Sequence, residues 1–214
     1  MDEEIQIINE NTRREKFKNF ITKYKKILIG SSSAFILIIF LFFLYSDFKH
    51  KNQLKIADKF NEITTSYDNK KNENIVQDLT SIIYKKDKTY SPLALNFLID
   101  NKLINDKEKI NKFFNLIINE IKLEKEIKNL ITYKQALYNA ESSTENNLLK
   151  ILNPILNSDS IWKSHSLYLM AEYFYSKNEK EKSKEFLNRI IELDDANPNI
   201  KIEAQKRIRR DFSD

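Results

Sequence analysis

The 214-residue chain contains 36 Lys and Arg residues, 31 Asp and Glu residues and no cysteine, which gives a formal net charge of +5. The lack of cysteine excludes disulfide bonds, thiolate metal sites and cysteine nucleophiles. Acidic and basic residues are mixed along the chain, without the basic stripe typical of nucleic-acid-binding proteins. Only His50 and His165 can provide imidazole, and they lie far apart in the sequence. We therefore expect no metal, no cofactor, no nucleic acid and no small-molecule substrate.

Residues 1–26 form a basic tail with an amphipathic pattern. Within it, Phe17, Phe20, Ile21 and Tyr24 follow the i, i+3, i+4, i+7 spacing of one helix side, opposite Lys16, Lys23 and Lys26. Such a helix suits an anionic membrane surface. A simple helical continuation of the apolar run that follows explains the same pattern. The basic residues of the tail are Arg13, Arg14, Lys16, Lys18, Lys23, Lys25 and Lys26.

Residues 27–45 contain no charge, and at 1.5 Å per residue they reach about 28 Å, close to the hydrocarbon thickness of a bilayer. The run is longer than a signal-peptide core and lacks a small-x-small cleavage site. We predict a permanent transmembrane helix. Gly30 and Ala34 form a small-xxx-small pair, which predicts close contact with another transmembrane helix.

The basic residues before this run are denser than those after it, such as Lys49, Lys51, Lys55 and Lys59. The positive-inside rule then places the N-terminus in the cytoplasm and residues 46–214 on the other side of the membrane.

Residues 46–214 read as helices throughout, because Gly and Pro are scarce and apolar residues recur at 3.6-residue spacing. We predict an all-α domain. Its predicted helices are Asp47–Tyr67, Asn74–Lys85, Pro92–Leu103, Asp106–Leu123, Lys125–Ala140, Thr144–Leu156, Ser160–Ser176, Glu179–Leu193 and Pro198–Arg210.

Predicted turns near Asp106, Ser142 and Asn178 lie 36 residues apart. This period indicates stacked helix–turn–helix repeats, and 34 residues is the length of the tetratricopeptide type. We therefore predict a tetratricopeptide-like α-solenoid. In the clearest unit the core stripe is Leu167, Met170, Ala171 and Phe174, facing Phe186, Leu187 and Ile190. Asn178 occupies the turn, where a left-handed conformation is expected.

The other side of the Ser160–Ser176 helix carries His165, Tyr168, Glu172 and Tyr175. Aromatic side chains with a polar end suit a groove that contacts a protein partner. The alternative is that the two tyrosines pack against the next helix pair. Gln135 and Tyr138 are candidates to extend the same face. His165 is expected to be an exposed residue at the groove edge, and Trp162 to pack between repeats.

The sequence contains no Gly-rich phosphate loop, no metal-binding histidine pair and no nucleophile elbow. The carboxylates of Asp194 and Asp195 precede Asn197 and Pro198, which indicates a turn that caps a helix. We therefore predict that the protein is not an enzyme.

Three stretches carry a resemblance to a known family: "DEEIQIINENTRREKFKNFITKYKKILIG", "YSPLALNFLIDNKLINDKEKI" and "IWKSHSLYLMAEYFYSKNEKEKSKEFL". Their layout of short tail, single transmembrane helix and degenerate tetratricopeptide repeats resembles the YfgM family of bacterial inner-membrane proteins. The resemblance implies a periplasmic interaction module beside the Sec translocon, which works with membrane-anchored chaperones on emerging clients. It implies no catalysis.

Three functions fit these patterns. The first is a membrane-tethered module that binds protein partners in the periplasm. The second is a self-associating envelope scaffold. The third is a regulator whose N-terminal tail holds a cytoplasmic protein.

Overall fold

The computed structural model describes residues 2–67 and 74–212, without the side chains of residues 2–12, 28 and 32. Within these ranges the regular secondary structure is α-helix, and no β-strand is present, so the predicted all-α class is confirmed. The helices are α1 (Asp2–Thr65), α2 (Ile75–Tyr84), α3 (Tyr90–Asp100), α4 (Lys107–Glu120), α5 (Lys125–Asn139), α6 (Glu145–Leu156), α7 (Lys163–Ser176), α8 (Lys180–Glu192) and α9 (Pro198–Asp211).

The chain divides into two compact units, Met1–Ile56 and Ala57–Asp214. The first unit lies within α1, in which the basic tail and the apolar run are parts of the same helix. The tail, the run and the helix predicted from Asp47 are therefore not separate elements. The sequence offers no proline before Pro92, and a lone Gly30 lowers helix stability without ending the helix.

One helical segment in the described part of the chain, Ile29–Thr65, is long and apolar enough to cross a membrane. None of its most apolar stretch is buried against protein. Its large side chains from Phe35 to Leu44 are exposed along the whole run. A membrane is the solvent in which such a surface is stable.

The second unit begins with the last residues of α1, which pack against α2 and α3. Nζ of Lys59 lies 2.6 Å from Oδ1 of Asp78. The Phe60 ring lies 5.7 Å from the Tyr90 ring, measured between centroids. These contacts make the end of α1 part of the helical domain.

The helices of the second unit pack mainly against their neighbours in the chain, most extensively α7 against α8. The turn predicted near Asp106 would make α3 and α4 a pair, but α3 packs more extensively against α2. Oγ of the buried Ser91 donates to the Ile82 carbonyl at 3.1 Å and fixes the α2–α3 approach. Leu79 and Ile83 of α2 and Leu95 and Leu98 of α3 are all buried.

Short-range hydrogen bonds from side chains and backbone stabilise the turns between helices. Oδ1 of Asp106 accepts from the Lys109 amide at 3.0 Å and caps α4. Asn178 has the predicted left-handed conformation, with φ of 62°. The Glu179 amide donates to the Phe174 carbonyl and the Asn178 amide to the Tyr175 carbonyl. These two bonds are the Schellman pattern that ends α7.

The predicted core stripe of α7 is confirmed, because Leu167, Met170, Ala171 and Phe174 are each at most 1% exposed. They belong to a cluster formed by residues of α5 to α9. Leu187 and Ile190 of α8 are buried in the same cluster.

Polar contacts recur between residues that lie 33 to 37 positions apart in the sequence. Each joins a helix, or the loop beside it, to the helix two places further along the chain or to the loop just before that helix. The contacting pairs are Lys86–Glu120, Lys107–Ser142, Lys125–Asp159, Glu126–Ser160, Glu145–Lys182, Ser164–Asn197 and Glu172–Arg207.

Candidate functional site

The side of α7 next to its core stripe, about 120° around the helix, carries His165, Tyr168, Glu172 and Tyr175, and we call these four residues the α7 face. All four side chains are half-buried. The face lies between α5 on one side and α9 on the other, since α7 packs against both helices. Each end of the face is therefore partly covered by a neighbouring helix.

The C-terminal end of the α7 face is held by Arg207 of α9. Nη2 of Arg207 lies 2.8 Å from Oε1 of Glu172, and its Nη1 lies 2.7 Å from Oδ2 of Asp211. The guanidinium carbon lies 4.5 Å from the centre of the Tyr175 ring. Tyr175 also meets Phe212 edge-on, with the ring centroids 6.0 Å apart. For Tyr175 the structure therefore agrees with packing against the next helix, the alternative to an open groove.

The other end of the α7 face is an aromatic cluster with α5. The Tyr133 and Trp162 rings are stacked, with centroids 5.8 Å apart and planes 22° apart. The His165 ring lies 5.1 Å from Trp162 and 6.0 Å from Tyr133. The packing role predicted for Trp162 is confirmed. The full exposure predicted for His165 is not found, because its side chain is half-buried beside these two rings.

Tyr168 lies between these two ends. Its ring packs against the buried cluster of α5 to α9 and remains half-buried. Burial raises the pKa of its phenol, and the nearby Glu172 carboxylate adds to this increase. Tyr168 therefore keeps its hydroxyl proton at neutral pH and can both donate and accept a hydrogen bond.

Gln135 and Tyr138 do not extend the α7 face. Nε2 of Gln135 donates to Oδ1 of Asn115 at 3.1 Å, and its side chain is only 8% exposed. The Tyr138 ring lies 6.1 Å from Phe114, so both residues point toward α4. At 100° per residue, Gln135 is about 160° around α5 from Tyr133, the residue that does reach α7.

The electrostatics of the α7 face come from one ion pair and one neutral imidazole. Burial lowers the pKa of His165, and the Ile161 carbonyl opposes this change more weakly. Glu172 is already paired with Arg207. In the described residues, no three His, Asp or Glu side chains are grouped as metal ligands. The arrangement offers aromatic contact area and hydrogen bonds, which are the means of protein recognition.

Gly30 and Ala34 lie in the first unit, on an exposed part of α1. A Cβ built on Gly30 meets no atom within 4 Å. Both positions are therefore accessible to another helix, as a small-xxx-small contact requires.

Sequence reasoning missed Arg207, the residue that organises the C-terminal end of the face. Its side chain is 13% exposed and contacts both Glu172 and Asp211. Arg207 lies 35 positions after Glu172. The repeat period contained this signal, because equivalent residues of successive units lie about one period apart.

Comparison of the chain with protein-family models, with curated proteins and with solved structures finds no match. A functional proposal therefore has to be based on the α7 face and on the apolar part of α1.

Proposed function

We propose that this protein is a single-pass membrane protein whose exported domain binds protein partners through stacked helix pairs. The observation that carries the proposal is the series of polar contacts between residues 33 to 37 positions apart. The proposal assigns no catalytic step to the chain.

The regular contacts support a tetratricopeptide-like α-solenoid. In a stack of helix pairs, each residue meets its equivalent in the next pair, so contacts recur at the repeat length. Contacts between α5 and α7 and between α7 and α9 fit the first helices of successive pairs lying side by side. Such rows of helices form the extended binding surfaces of repeat proteins.

The α7 face is the proposed partner-binding surface, with Tyr168 at its centre. Among the aromatic residues of the α7 face, Tyr168 has the fewest of the ring contacts described for this face. A tyrosine adds contact area and one hydrogen bond at low entropy cost. Tyr133 and Arg207 lie at the two ends of this surface, and their contacts hold its side chains in position.

The apolar part of α1, residues 27–45, is the proposed membrane anchor. The denser basic flank before it favours a cytoplasmic N-terminus and a periplasmic domain in a bacterial inner membrane. The resemblance to the YfgM family adds expected partners, namely Sec translocon subunits and a membrane-anchored chaperone.

Pull-down of the detergent-solubilised full-length chain tests the proposal, with bound proteins identified by mass spectrometry. Tyr168→Ala is expected to lose partners that the unchanged chain retains. Tyr84→Ala is the matched control, because Tyr84 is 59% exposed and lies on α2. If Tyr168→Ala recovers every partner, the α7 face is not the binding surface.

Two other results would replace the main proposal. Recovery of further copies of the same chain, and nothing else, would make it a self-associating scaffold. Loss of all partners on deletion of residues 1–22 would make it a regulator that acts through its tail.

A further inference from the structure

The segment from Arg13 to Lys26, which we call the basic segment, is the most strongly charged part of α1. It contains seven basic residues and a single acidic residue, Glu15. Every side chain in it is exposed except that of Tyr24, which is half-buried. Its positive charge is therefore available to a negatively charged surface.

One side of the basic segment is apolar. Phe17 is 67% exposed and Phe20 is 52% exposed, although both are large aromatic residues. The Phe20 and Tyr24 rings are 4.9 Å apart, and Ile21 lies about 60° further around the helix from Tyr24, so the three residues form a continuous strip. Nζ of Lys23 lies 5.6 Å from the Tyr24 ring, at the border between the apolar and basic sides.

We propose that the basic segment binds the headgroups of anionic phospholipids and inserts Phe17, Phe20, Ile21 and Tyr24 at the membrane surface. The inference goes beyond the partner-binding function, although it rests on the proposed membrane anchor. An amphipathic helix with aromatic residues on one side and basic residues around it has the composition of an interfacial helix. Anionic lipid is favoured over a protein partner because the segment is joined directly to the apolar run.

The proximity of the segment to the membrane can be estimated from the helix. Tyr24 lies about 5 Å before Ile27 and Phe20 about 10 Å before it, at 1.5 Å per residue. The screening length at physiological salt is about 8 Å, so Lys23, Lys25 and Lys26 are within reach of the charged headgroups.

Phe17 distinguishes two arrangements of the segment. If α1 continued straight out of the bilayer, Phe17 would lie in water about 15 Å beyond Ile27. If the helix axis turns, Phe17 reaches the surface together with Phe20. Because α1 is continuous through this part of the chain, the second arrangement requires a bend of the helix at the membrane surface.

The test uses the full-length chain in lipid nanodiscs and an environment-sensitive fluorescent label. Because the chain contains no cysteine, Phe17→Cys creates a single labelling site. Asn19→Cys is the matched control, since position 19 is about 160° around the helix from position 17. Each labelled chain is placed in nanodiscs of phosphatidylglycerol with phosphatidylcholine, or of phosphatidylcholine alone.

The label at position 17 is expected to shift to shorter wavelength in the anionic nanodiscs only, while the label at position 19 reports water in both. The shift should be lost at about 1 M NaCl, where the screening length is about 3 Å. It should also be lost when Lys16, Lys18, Lys23, Lys25 and Lys26 are all changed to Gln.

Three outcomes overturn the inference. A water-like label at position 17 in both lipids shows that the segment does not reach the surface. An equal shift in phosphatidylcholine alone removes the requirement for anionic headgroups. A shift of both labels shows that the segment is covered on both sides, which indicates contact with a second chain.

Alkaline carbonate extraction of the chain from the same lipids, prepared as vesicles, tests the anchor separately. A chain that is extracted contradicts the anchor. A chain that resists extraction while its position-17 label stays in water contradicts the lipid-binding segment alone.

Discussion

Phe174 and Tyr168 lie about 120° apart around α7 and are expected to respond differently to truncation. Phe174 is 1% exposed and its ring lies 5.4 Å from that of Phe186. Phe174→Ala should lower the free energy of unfolding by about 3–5 kcal/mol, through lost burial and the cavity left behind. Urea unfolding of the detergent-solubilised chain measures this, with Trp162, the single tryptophan, as fluorescent reporter.

Tyr168→Ala is the comparison on the same helix. Because Tyr168 is half-buried, its truncation should shift the unfolding midpoint clearly less than Phe174→Ala does. If the unfolding midpoint falls equally in the two variants, Tyr168 is part of the packed core and not of the binding surface.

His165 should make the stability of the helical domain depend on pH. Burial lowers the pKa of His165 in the folded chain below its ordinary value of 6.5. The unfolded chain therefore binds a proton first as pH falls, so stability is complete above about pH 6.5 and decreases below it. Unfolding midpoints at pH 7.5 and pH 5.5, about one unit either side of that value, measure this.

His165→Gln should reduce the difference between those two midpoints. His50→Gln is the control, because His50 is exposed on α1 in the other unit. If both variants keep the pH dependence of the unchanged chain, carboxylates and not His165 cause it.

At the scale of single elements, the membrane topology proposed for α1 can be tested. With residues 27–45 as anchor and the N-terminus in the cytoplasm, protease added to spheroplasts should digest the chain beyond Tyr45. The tail should remain as a protected fragment, recognised by an N-terminal epitope. A protected C-terminal domain, or a mature chain that begins after Tyr45, would contradict this orientation.

Most helix bounds could be predicted from the sequence. The α9 start at Pro198 and the α5 start at Lys125 agree with the structure, because proline suits a first helical turn and apolar spacing marks each helix. The continuity of the tail with the apolar run was one of two interpretations of the tail, and apolar spacing alone could not choose between them. An apolar run and an amphipathic run have different patterns, but a helix continues through both unless a residue breaks it.

The orientation of α5 was harder to predict, because its buried side is partly polar. Asn139 and Gln135 are each 8% exposed. Asn139 and Asn111 exchange hydrogen bonds of 2.8 and 2.9 Å through their amides. A pattern that equates buried with apolar assigns such residues to the surface. Satisfied amide pairs are the exception that allows them inside.

At the scale of the whole molecule, residues 46–214 should fold without the apolar part of α1. Residues 46–214 contain the end of α1 and α2 to α9, and their core is formed among these helices. Expressed alone, they should be soluble and strongly helical by circular dichroism, with or without a chelator. A substantial β signal, or loss of helix on adding the chelator, would contradict this.

The partner of Glu172 could be found only at this scale. Helical spacing within α7 groups Glu172 with the tyrosines, but Arg207 reaches it from α9. Which neighbour covers a helix face depends on how successive units stack, and periodicity within a single helix does not contain that information.

Few residues of α9 are buried, and this has a kinetic consequence. Of the fourteen described residues of α9, only Ala204 is buried, so this helix is expected to open before α2 to α8 and to show faster amide exchange than they do. Because Arg207 leaves Glu172 whenever α9 opens, that end of the α7 face is exposed intermittently. A partner that prefers the open form would slow the closing of α9, and hydrogen–deuterium exchange of residues 198–211 would report its arrival as faster exchange.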